Sequence, residues 1–330
     1  MFSVNSLFER AKERNKTIVF PEAGFSPRVE KAVEDILKKK ICNVILLGDP
    51  DKFAKNKKLA GANIINPENS DLTEELANKL YEARKEKGMT IEQATDLVKK
   101  NAMYFASMLV DCGYADGYLG GAETSTTETL RPALQIIKGA KGTKTISSCF
   151  MFVGTNKLGF GENGVIFTAD CGLNINPTAE ELSEIVLTTA KTAKELAGIT
   201  PRVAMLSFSS FGSGGDKDEN IIKSRQAMEL VKQKDPTLEI DGEMQVDCAL
   251  VPSVAKLKAP NSKVAGKANI LVFPELTSGN IGYKLIERFG GVQALGPITQ
   301  GFRKPANDLS RGCKAEDIVV MAAITVLQAD

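Results

Sequence analysis

Residues 305–317 bring a hydroxyl, a guanidinium, a thiol and carboxylates together near the C-terminus of the chain. The following segment, residues 318–327, is apolar almost all round, which predicts a helix buried in a core. A loop held rigidly by such a helix is well suited to a functional site. The candidate reactive groups of this loop are Ser310, Arg311, Cys313 and Asp317.

The sequence contains no histidine. Its absence excludes Ser-His-Asp and Cys-His catalysis, and it also excludes imidazole ligation of a metal. Acid–base chemistry must therefore fall to Asp, Glu, Lys, Tyr or Cys. A carboxylate is the plausible base of any proton transfer in this chain.

A second polar stretch covers residues 116–132. The pair Gly120 and Gly121 leads into six residues of which four are Ser or Thr, and Arg131 follows in what the pattern predicts to be the first turns of a helix. Hydroxyls, free backbone N–H groups and a cation suit an anion, phosphate above all. The alternative is a hydroxyl-rich helix cap without a ligand. Arg131 favours phosphate.

Two further stretches admit more than one interpretation. Residues 207–216 form a Ser/Gly loop between a predicted strand and a predicted helix, and they either present N–H groups to an anion or act as a flexible connector. The loop lacks the Lys-Ser/Thr ending of a Walker A motif. Residues 241–249 carry alternating carboxylates, which suit either a divalent metal or the solvent face of an edge strand. We predict no metal site there.

Size and composition point to two domains acting on a small molecule. A chain of 330 residues is large enough for two packed α/β domains. The 42 basic and 41 acidic residues give a net charge of +1, so no basic block indicates nucleic acid or a membrane surface. The N-terminus does not resemble a signal peptide, and no apolar run reaches the ~20 residues of a membrane span. Six scattered cysteines predict free thiols, and we expect a cytoplasmic protein.

The rest of the chain alternates predicted strands with predicted helices, which favours parallel sheets covered by helices. The tetrapeptide Val-Phe-Pro-Glu occurs twice, at residues 19–22 and 272–275, and hints at a repeated turn at a strand end. Predicted strands cover residues 17–20, 42–47, 63–65, 143–153, 164–168, 203–207, 238–240, 270–273 and 293–298. Predicted helices cover residues 27–40, 72–87, 90–110, 176–197, 219–234, a segment around Arg288 that ends at Gly290, and the C-terminal segment.

Together these stretches resemble the phosphate acetyltransferase family, whose members move an acetyl group between coenzyme A and inorganic phosphate. The similarity spans nearly the whole chain, at the length of the single-module members. The family is related to the phosphate butyryltransferases, and its fold is similar to that of isocitrate and isopropylmalate dehydrogenases. The matching segments are residues 307–313 (Asn-Asp-Leu-Ser-Arg-Gly-Cys) with Asp317, residues 279–284, residues 256–266 and residues 129–132.

The resemblance implies two three-layer αβα domains with a cleft between them. The first comprises residues 1–145 plus 296–330, and the second comprises residues 146–295. It also implies a homodimer, with small-molecule substrates and with coenzyme A as a substrate rather than a permanently bound cofactor.

The resemblance also implies roles for the C-terminal loop. Asp317 is implicated in deprotonating the coenzyme A thiol, Arg311 in holding acetyl phosphate and stabilising the transition state, and Ser310 in hydrogen-bonding the reactants. Transfer in the family is direct within a ternary complex, so Cys313 is not expected to be a nucleophile. The alternative for Asp317 is a purely structural cap in the first turn of the last helix.

The remaining candidates are substrate contacts. Arg84 and Arg288 match arginines of the family, but lone arginines on helices are more often solvated or paired than bound to a ligand, so both residues keep both interpretations. We assign the hydroxyl-rich stretch and Arg131 to the phosphate or coenzyme A side. The full set of candidate contacts is Arg131, Ser125, Thr126, Thr127, Thr129, Asn280, Gly279, Arg84, Arg288, Ser213 and Cys313.

Three other functions stay open. A butyryl or propionyl transferase of the same family differs only in the volume of its acyl pocket, and each methylene discriminates by only ~1–3 kcal/mol. An NAD-dependent dehydrogenase of similar fold would need clustered metal carboxylates and a Lys/Tyr pair, which we do not find. A non-catalytic sensor of acyl phosphates is disfavoured because the whole reactive stretch is present.

Overall fold

The computed structural model describes residues 1–329 and divides into two compact units. One unit contains residues 3–141 and the C-terminal part from residue 302 onward, so the chain leaves this unit and later returns to it. The other unit contains residues 142–301 with Met1–Phe2. Asp330, which ends the first expected domain, lies outside the described residues.

The unit formed by the two ends of the chain is built on a five-stranded parallel sheet in the order β11-β4-β1-β2-β3. The parallel sheet predicted from the alternating pattern is confirmed here. The strands are β1 (Thr17–Phe20), β2 (Asn43–Leu47), β3 (Asn63–Ile65), β4 (Gly117–Gly120) and β11 (Ala306–Asp308). The helices are α1 (Val4–Arg14), α2 (Pro27–Lys39), α3 (Pro50–Phe53), α4 (Leu72–Arg84), α5 (Ile91–Lys100), α6 (Ala102–Asp111), α7 (Thr126–Gln135) and α13 (Ala315–Gln328).

Helices cover both faces of this sheet. On one face α13 packs against α1 and α2, and a Cβ placed on Gly117 would meet Thr325 of α13 at 3.2 Å. On the other face Tyr118, the next residue of β4, joins a core with residues of α4 to α7. Residues 318–327 of α13 are all buried, as predicted. Because β4 and β11 are parallel, their carboxyl ends bring the two polar stretches to the same edge.

The other unit is built on a six-stranded sheet in the order β10-β5-β6-β9-β7-β8. β5 runs antiparallel to both of its neighbours, and the remaining pairs are parallel. The strands are β5 (Ser147–Val153), β6 (Val165–Ala169), β7 (Arg202–Leu206), β8 (Glu239–Met244), β9 (Ile270–Val272) and β10 (Gln293–Gln300). The helices are α8 (Ala179–Ala197), α9 (Glu219–Lys234), α10 (Val246–Leu250), α11 (Pro252–Lys258) and α12 (Leu276–Gly290).

The elements without a counterpart among the predictions include α1, α10, α11, β4 and β11. Two of the four residues of β4 are glycines, which lower the strand propensity. Gly117 is required because a Cβ there would lie 2.8 Å from the carbonyl oxygen of Pro305. β11 consists of Ala-Asn-Asp, a sequence typical of a turn, and it forms a strand because β4 pairs with it in register.

Several boundaries also differ from the prediction. The single helix expected at residues 90–110 is two helices, because Asn101 is extended and its side chain accepts the N–H groups of Met103 and Tyr104. The Thr90–Gln93 capping box is confirmed. α8 begins at Ala179 with Thr178 as its cap, later than the expected start at residue 176. No helix among residues 1–329 is long and apolar enough to span a membrane.

Candidate active site

The loop between β11 and α13 carries Ser310 and Arg311 on the surface. Both side chains are exposed, and within residues 1–329 the guanidinium of Arg311 forms no ion pair. The Ser310 hydroxyl accepts a hydrogen bond from the N–H of Gly312 (3.3 Å), and the Ser310 carbonyl accepts one from the N–H of Cys313 (2.9 Å). These bonds form a tight turn that leaves the cation and the hydroxyl proton free for a ligand.

Asp317 lies in the first turn of α13 and is half-buried. Its Oδ2 accepts the N–H of Lys314 at 2.9 Å, so the capping contact considered from the sequence is present. Its Oδ1 has no hydrogen-bond partner in the described part of the chain. One oxygen of the carboxylate therefore holds the helix start, and the other remains available to a substrate.

Cys313 is buried between this loop and the helix, with 9% of its surface exposed. Burial raises the pKa of its thiol to about 11, although Arg28 acts in the opposite direction. A thiol with this pKa is almost entirely protonated at neutral pH, and the thiolate is the nucleophilic form. The environment of Cys313 therefore does not favour covalent catalysis.

The hydroxyl-rich loop after β4 is tied to Glu22, the residue that follows β1 and Pro21. The N–H groups of Ala122, Glu123 and Thr124 all donate to the carboxylate of Glu22, at 2.7, 3.0 and 2.9 Å. The Thr124 hydroxyl donates to the same carboxylate at 2.9 Å. The expectation of free N–H groups is therefore wrong for residues 122–124, because an anion of the protein itself already occupies them.

Most hydroxyls at the start of α7 also have partners inside the protein. Ser125 and Glu128 form a capping box. The Thr126 hydroxyl donates to Asp308 at 2.6 Å, and the buried Thr129 hydroxyl donates to the Ser125 carbonyl at 3.1 Å. The backbone N–H of Thr126 has no hydrogen-bond partner among residues 1–329. Neither the hydroxyl nor the N–H of Thr127 has one among these residues. The free donors at this helix N-terminus are therefore fewer than the sequence suggested.

The charges of two arginines act on Glu128, in the first turn of α7. The backbone and side chain of Ser125 lower the pKa of Glu128, and the charges of Arg131 and Arg311 act in the same direction. Arg131 and Arg311 belong to different segments of the chain, and both favour the ionised form of Glu128.

The charges of Arg131 and Arg84 act on a common residue, Tyr104. Burial raises the pKa of Tyr104, and both charges oppose this shift. The Nε of Arg84 is buried and has no hydrogen-bond partner among the described residues. A buried, unsatisfied cationic donor is costly, which suits a site that an anionic ligand completes.

Asp308, at the end of β11, lies beneath the two loops. It is 2% exposed, and its Oδ1 has no partner in the described part of the chain. Burial raises its pKa to about 6, although hydrogen bonds from Thr126 and Thr129 lower it. Gly121 has φ +98°, and a Cβ at that position would collide with Oδ1 of Asp308. Gly121 is therefore required for the loop to pass over the carboxyl group.

The candidates of the other unit do not form one cluster. Gly279 packs on the backbone of Asp170, and the Asn280 side chain donates to the Cys171 carbonyl at 3.2 Å. The Ser213 hydroxyl accepts the N–H of Ser210 at 2.9 Å within the loop after β7. The side chain of Arg288 is 79% exposed, and it lies nine residues beyond Gly279 on α12, roughly 14 Å along the axis.

Two of the three carboxylates of residues 241–249, Glu243 and Asp247, form separate ion pairs. Glu243 is buried, and although burial alone would raise its pKa, Arg225, the Gly212 N–H and the Ser209 hydroxyl lower it to about 2. Asp247 pairs with Lys258 at 3.0 Å. Among residues 1–329 no group of three or more His, Cys, Asp or Glu side chains is arranged to hold a metal ion.

Three residues near the site received no role from the sequence: Glu22, Arg28 and Asp308. The tetrapeptide Val-Phe-Pro-Glu, which occurs at residues 19–22 and 272–275, is a sequence signal for Glu22. In both copies the glutamate follows a parallel strand and holds backbone N–H groups, since Glu275 accepts those of Thr277 and Ser278. Arg28 and Asp308 act through tertiary contacts, for which the sequence contains no comparable signal.

The chain is similar in sequence to the proteins of one family over nearly its whole length. The family model of phosphate acetyl/butaryl transferase matches residues 2–326. A phosphate acetyltransferase of Acetivibrio thermocellus is 51% identical over 333 residues, which cover 100% of this chain and 98% of the relative.

Solved structures agree with the sequence relatives. The crystal structure of a phosphotransacetylase from Streptococcus pyogenes superposes with a TM-score of 0.90 at 43% identity, covering 99% of each chain. 4-Hydroxythreonine-4-phosphate dehydrogenase from Klebsiella pneumoniae has a TM-score of 0.51 at 13% identity, covering 95% of this chain and 98% of that one. The second likeness concerns the fold alone, and it agrees with the expected relation to dehydrogenase folds.

Proposed function

The chain belongs to the phosphate acetyl/butaryl transferase family, and we propose that it moves an acetyl group between coenzyme A and inorganic phosphate. The geometric observation that carries this function is that the loop of Ser310 and Arg311 follows β11 at the sheet edge where α7 begins, with Thr126 of α7 donating to Asp308 of β11 at 2.6 Å. An unpaired guanidinium and free N–H groups at a helix start suit a phosphate or an acyl phosphate.

The reaction transfers the acetyl group directly. The sulfur of coenzyme A attacks the carbonyl carbon of acetyl phosphate, and the bond from that carbon to the phosphate oxygen breaks. Phosphate leaves with the electron pair, while the thiol proton passes to Asp317. In the reverse direction a phosphate oxygen attacks the thioester carbonyl carbon, the carbon–sulfur bond breaks, and the coenzyme A sulfur takes the proton back from Asp317. The protein supplies orientation and charge stabilisation in both directions.

The C-terminal loop supplies the catalytic groups in this proposal. A free thiol has a pKa of about 8.5, so its ionisation needs a base and benefits from a nearby cation. The available oxygen of Asp317 supports its role as that base, and the unpaired guanidinium of Arg311 supports its role as the stabiliser of the transition state. Ser310, with its hydroxyl proton free, hydrogen-bonds the reactants.

Coenzyme A enters as a substrate, and its phosphates need cations of their own. We assign Arg84 and Arg131 to them, because the buried Nε of Arg84 lacks a partner and the charges of both arginines act on the same residue, Tyr104. Gly279, Asn280, Ser213 and the exposed Arg288 keep their assignment as substrate contacts.

A homodimer in the cytoplasm completes the proposal. The side chains of Ile281, Leu285 and Phe289 are 54%, 50% and 85% exposed, and their four-residue spacing places them on one face of α12. Such an apolar stripe favours a covering partner, which the family's homodimer supplies. All six cysteines are unpaired, which agrees with a reducing compartment. Light scattering of the wild type and of Phe289→Asp tests the dimer.

The experiment that tests the function is an assay of thioester formation from coenzyme A and acyl phosphates. Acetyl phosphate, propionyl phosphate and butyryl phosphate are compared at equal concentrations. The proposal expects the highest kcat/KM with acetyl phosphate. Preference for butyryl phosphate would reassign the chain to the butyryl branch, and no thioester from any of the three would reject the function.

A further inference from the structure

Arg28, in the first turn of α2, connects the two loops of the candidate site. Its Nη1 donates to the carbonyl oxygens of Arg311 (2.8 Å) and Cys313 (2.9 Å). Its Nη2 donates to the carbonyl oxygen of Ala122 (2.6 Å) and to Glu123 (3.0 Å). One guanidinium therefore holds the loop after β4 and the loop after β11, which are far apart in the sequence.

The four hydrogen bonds use all the N–H groups of the two terminal nitrogens. Glu123 is fixed in turn, because it also accepts the hydroxyl proton of Ser26 at 2.7 Å. Arg28 therefore has no terminal donor left for a substrate, in contrast to Arg311. Any effect of Arg28 on the reaction must pass through the loops that it holds.

The geometry of these contacts requires an arginine. Four acceptors lie around one planar fork, and a lysine ammonium is a compact group with three donors that cannot match this arrangement. The held carbonyls belong to Arg311 and Cys313 in the loop after β11, and to Ala122, four residues before the start of α7. Since a displacement of about 1 Å can lower a rate about 100-fold, the placement of these loops matters for transfer.

We infer that Arg28 is a positioning residue for acyl transfer, which fixes the Ser310–Arg311 turn relative to the N-terminus of α7. This role rests on the proposed function. Glu22 accepts the N–H groups of residues 122–124, and Arg28 donates to the Ala122 carbonyl of the same loop. The segment from Glu22 to the first turn of α2 therefore holds this loop through both its N–H and its carbonyl groups.

Two variants, Arg28→Ala and Arg28→Lys, test the inference. Arg202 provides the matched control, because its guanidinium also donates to two backbone carbonyls, of Lys267 and Thr200, and pairs with Glu162. Arg202 begins β7, at the end of the strand opposite the Ser/Gly loop. The measurements are kcat and KM for both substrates, the thermal unfolding midpoint, rescue by added guanidinium, and amide hydrogen exchange of residues 122–124 and 312–314.

Arg28→Ala is expected to lower kcat about 100-fold while each KM changes less than about threefold. Arg28→Lys is expected to stay at least about tenfold below wild type, because it restores the charge without the fork. Guanidinium raises the rate of Arg28→Ala and of no other variant. Both loops exchange faster in Arg28→Ala, whereas Arg202→Ala keeps wild-type kcat and wild-type exchange in these loops.

Other outcomes would overturn the inference. Full activity of Arg28→Lys would show that only the charge matters, and a rise in KM at constant kcat would make Arg28 a ligand. Equal losses of kcat in Arg28→Ala and Arg202→Ala would show that Arg28 contributes only to the general stability of the protein. An inactive wild type would reject the proposed function and the catalytic role together, and unchanged loop exchange in Arg28→Ala would reject the bracing of the loops independently of activity.

Discussion

Replacing Asp308 with Asn should remove a pH-dependent part of the free energy of unfolding. Asp308 is 2% exposed, and burial raises its pKa from 3.8 to about 6. The folded state therefore binds this proton more tightly than the unfolded state. The resulting stabilisation is fully present below about pH 4 and is lost as the pH rises through about 6.

The size of the effect follows from the shift. A shift of roughly two units, at about 1.4 kcal/mol each, corresponds to about 3 kcal/mol. Asn is isosteric with the protonated acid, and its carbonyl oxygen can still accept the Thr126 hydroxyl. The variant should therefore lack the loss that the wild type undergoes between about pH 4 and about pH 7.

The assay is urea unfolding of both proteins at several pH values across this interval. The difference in free energy of unfolding between Asp308→Asn and the wild type should grow in favour of the variant by about 3 kcal/mol as the pH rises. Thr126→Val is the companion variant, since removal of a hydrogen bond that lowers the pKa of Asp308 should move the window to higher pH. A difference that is constant with pH would refute the reasoning.

Three other substitutions test the site. Asp317→Asn should lower kcat about 100-fold or more with small changes in either KM, because it removes the proposed base; steady-state kinetics near wild type would contradict this role. Cys313→Ala should keep kcat within about twofold of the wild type, because burial raises the pKa of the thiol to about 11 and leaves it protonated. Detection by mass spectrometry of an acetyl group trapped on Cys313 would overturn this prediction. Glu22→Gln should destabilise the protein by about 2 kcal/mol, because an amide is a poorer acceptor for the three N–H groups that the carboxylate holds; an unchanged denaturation midpoint would argue against that contact.

Local patterns in the sequence were sufficient for much of the fold. Apolar periodicity and cap residues located β1, α9 and the buried α13, because these signals act within a few residues of the chain. β4 and β11 were missed because their residues favour turns and only tertiary pairing makes them strands. The strand propensity of a residue does not depend on a pairing partner nearly 190 residues away in the sequence, as β4 and β11 are.

The candidate site also combines features that local sequence predicts with features that depend on tertiary contacts. The family motif identified the C-terminal loop, and the hydroxyl-rich stretch was correctly located at a helix start. Its hydroxyls are largely bound to the protein because Glu22 and Asp308, from distant strand ends, meet them there. Whether a polar group is free for a substrate depends on such long-range partners, which the spacing of residues along the chain does not encode.

The most direct test of the central claim compares the wild type with Arg311→Gln in steady-state thioester formation from acetyl phosphate and coenzyme A. The account predicts an active wild type and a loss of kcat/KM of at least about 100-fold in the variant, corresponding to about 3 kcal/mol of transition-state stabilisation. The unfolding midpoint should change little, because the Arg311 side chain is exposed and forms no ion pair within residues 1–329. Near-normal kinetics of Arg311→Gln would contradict the account.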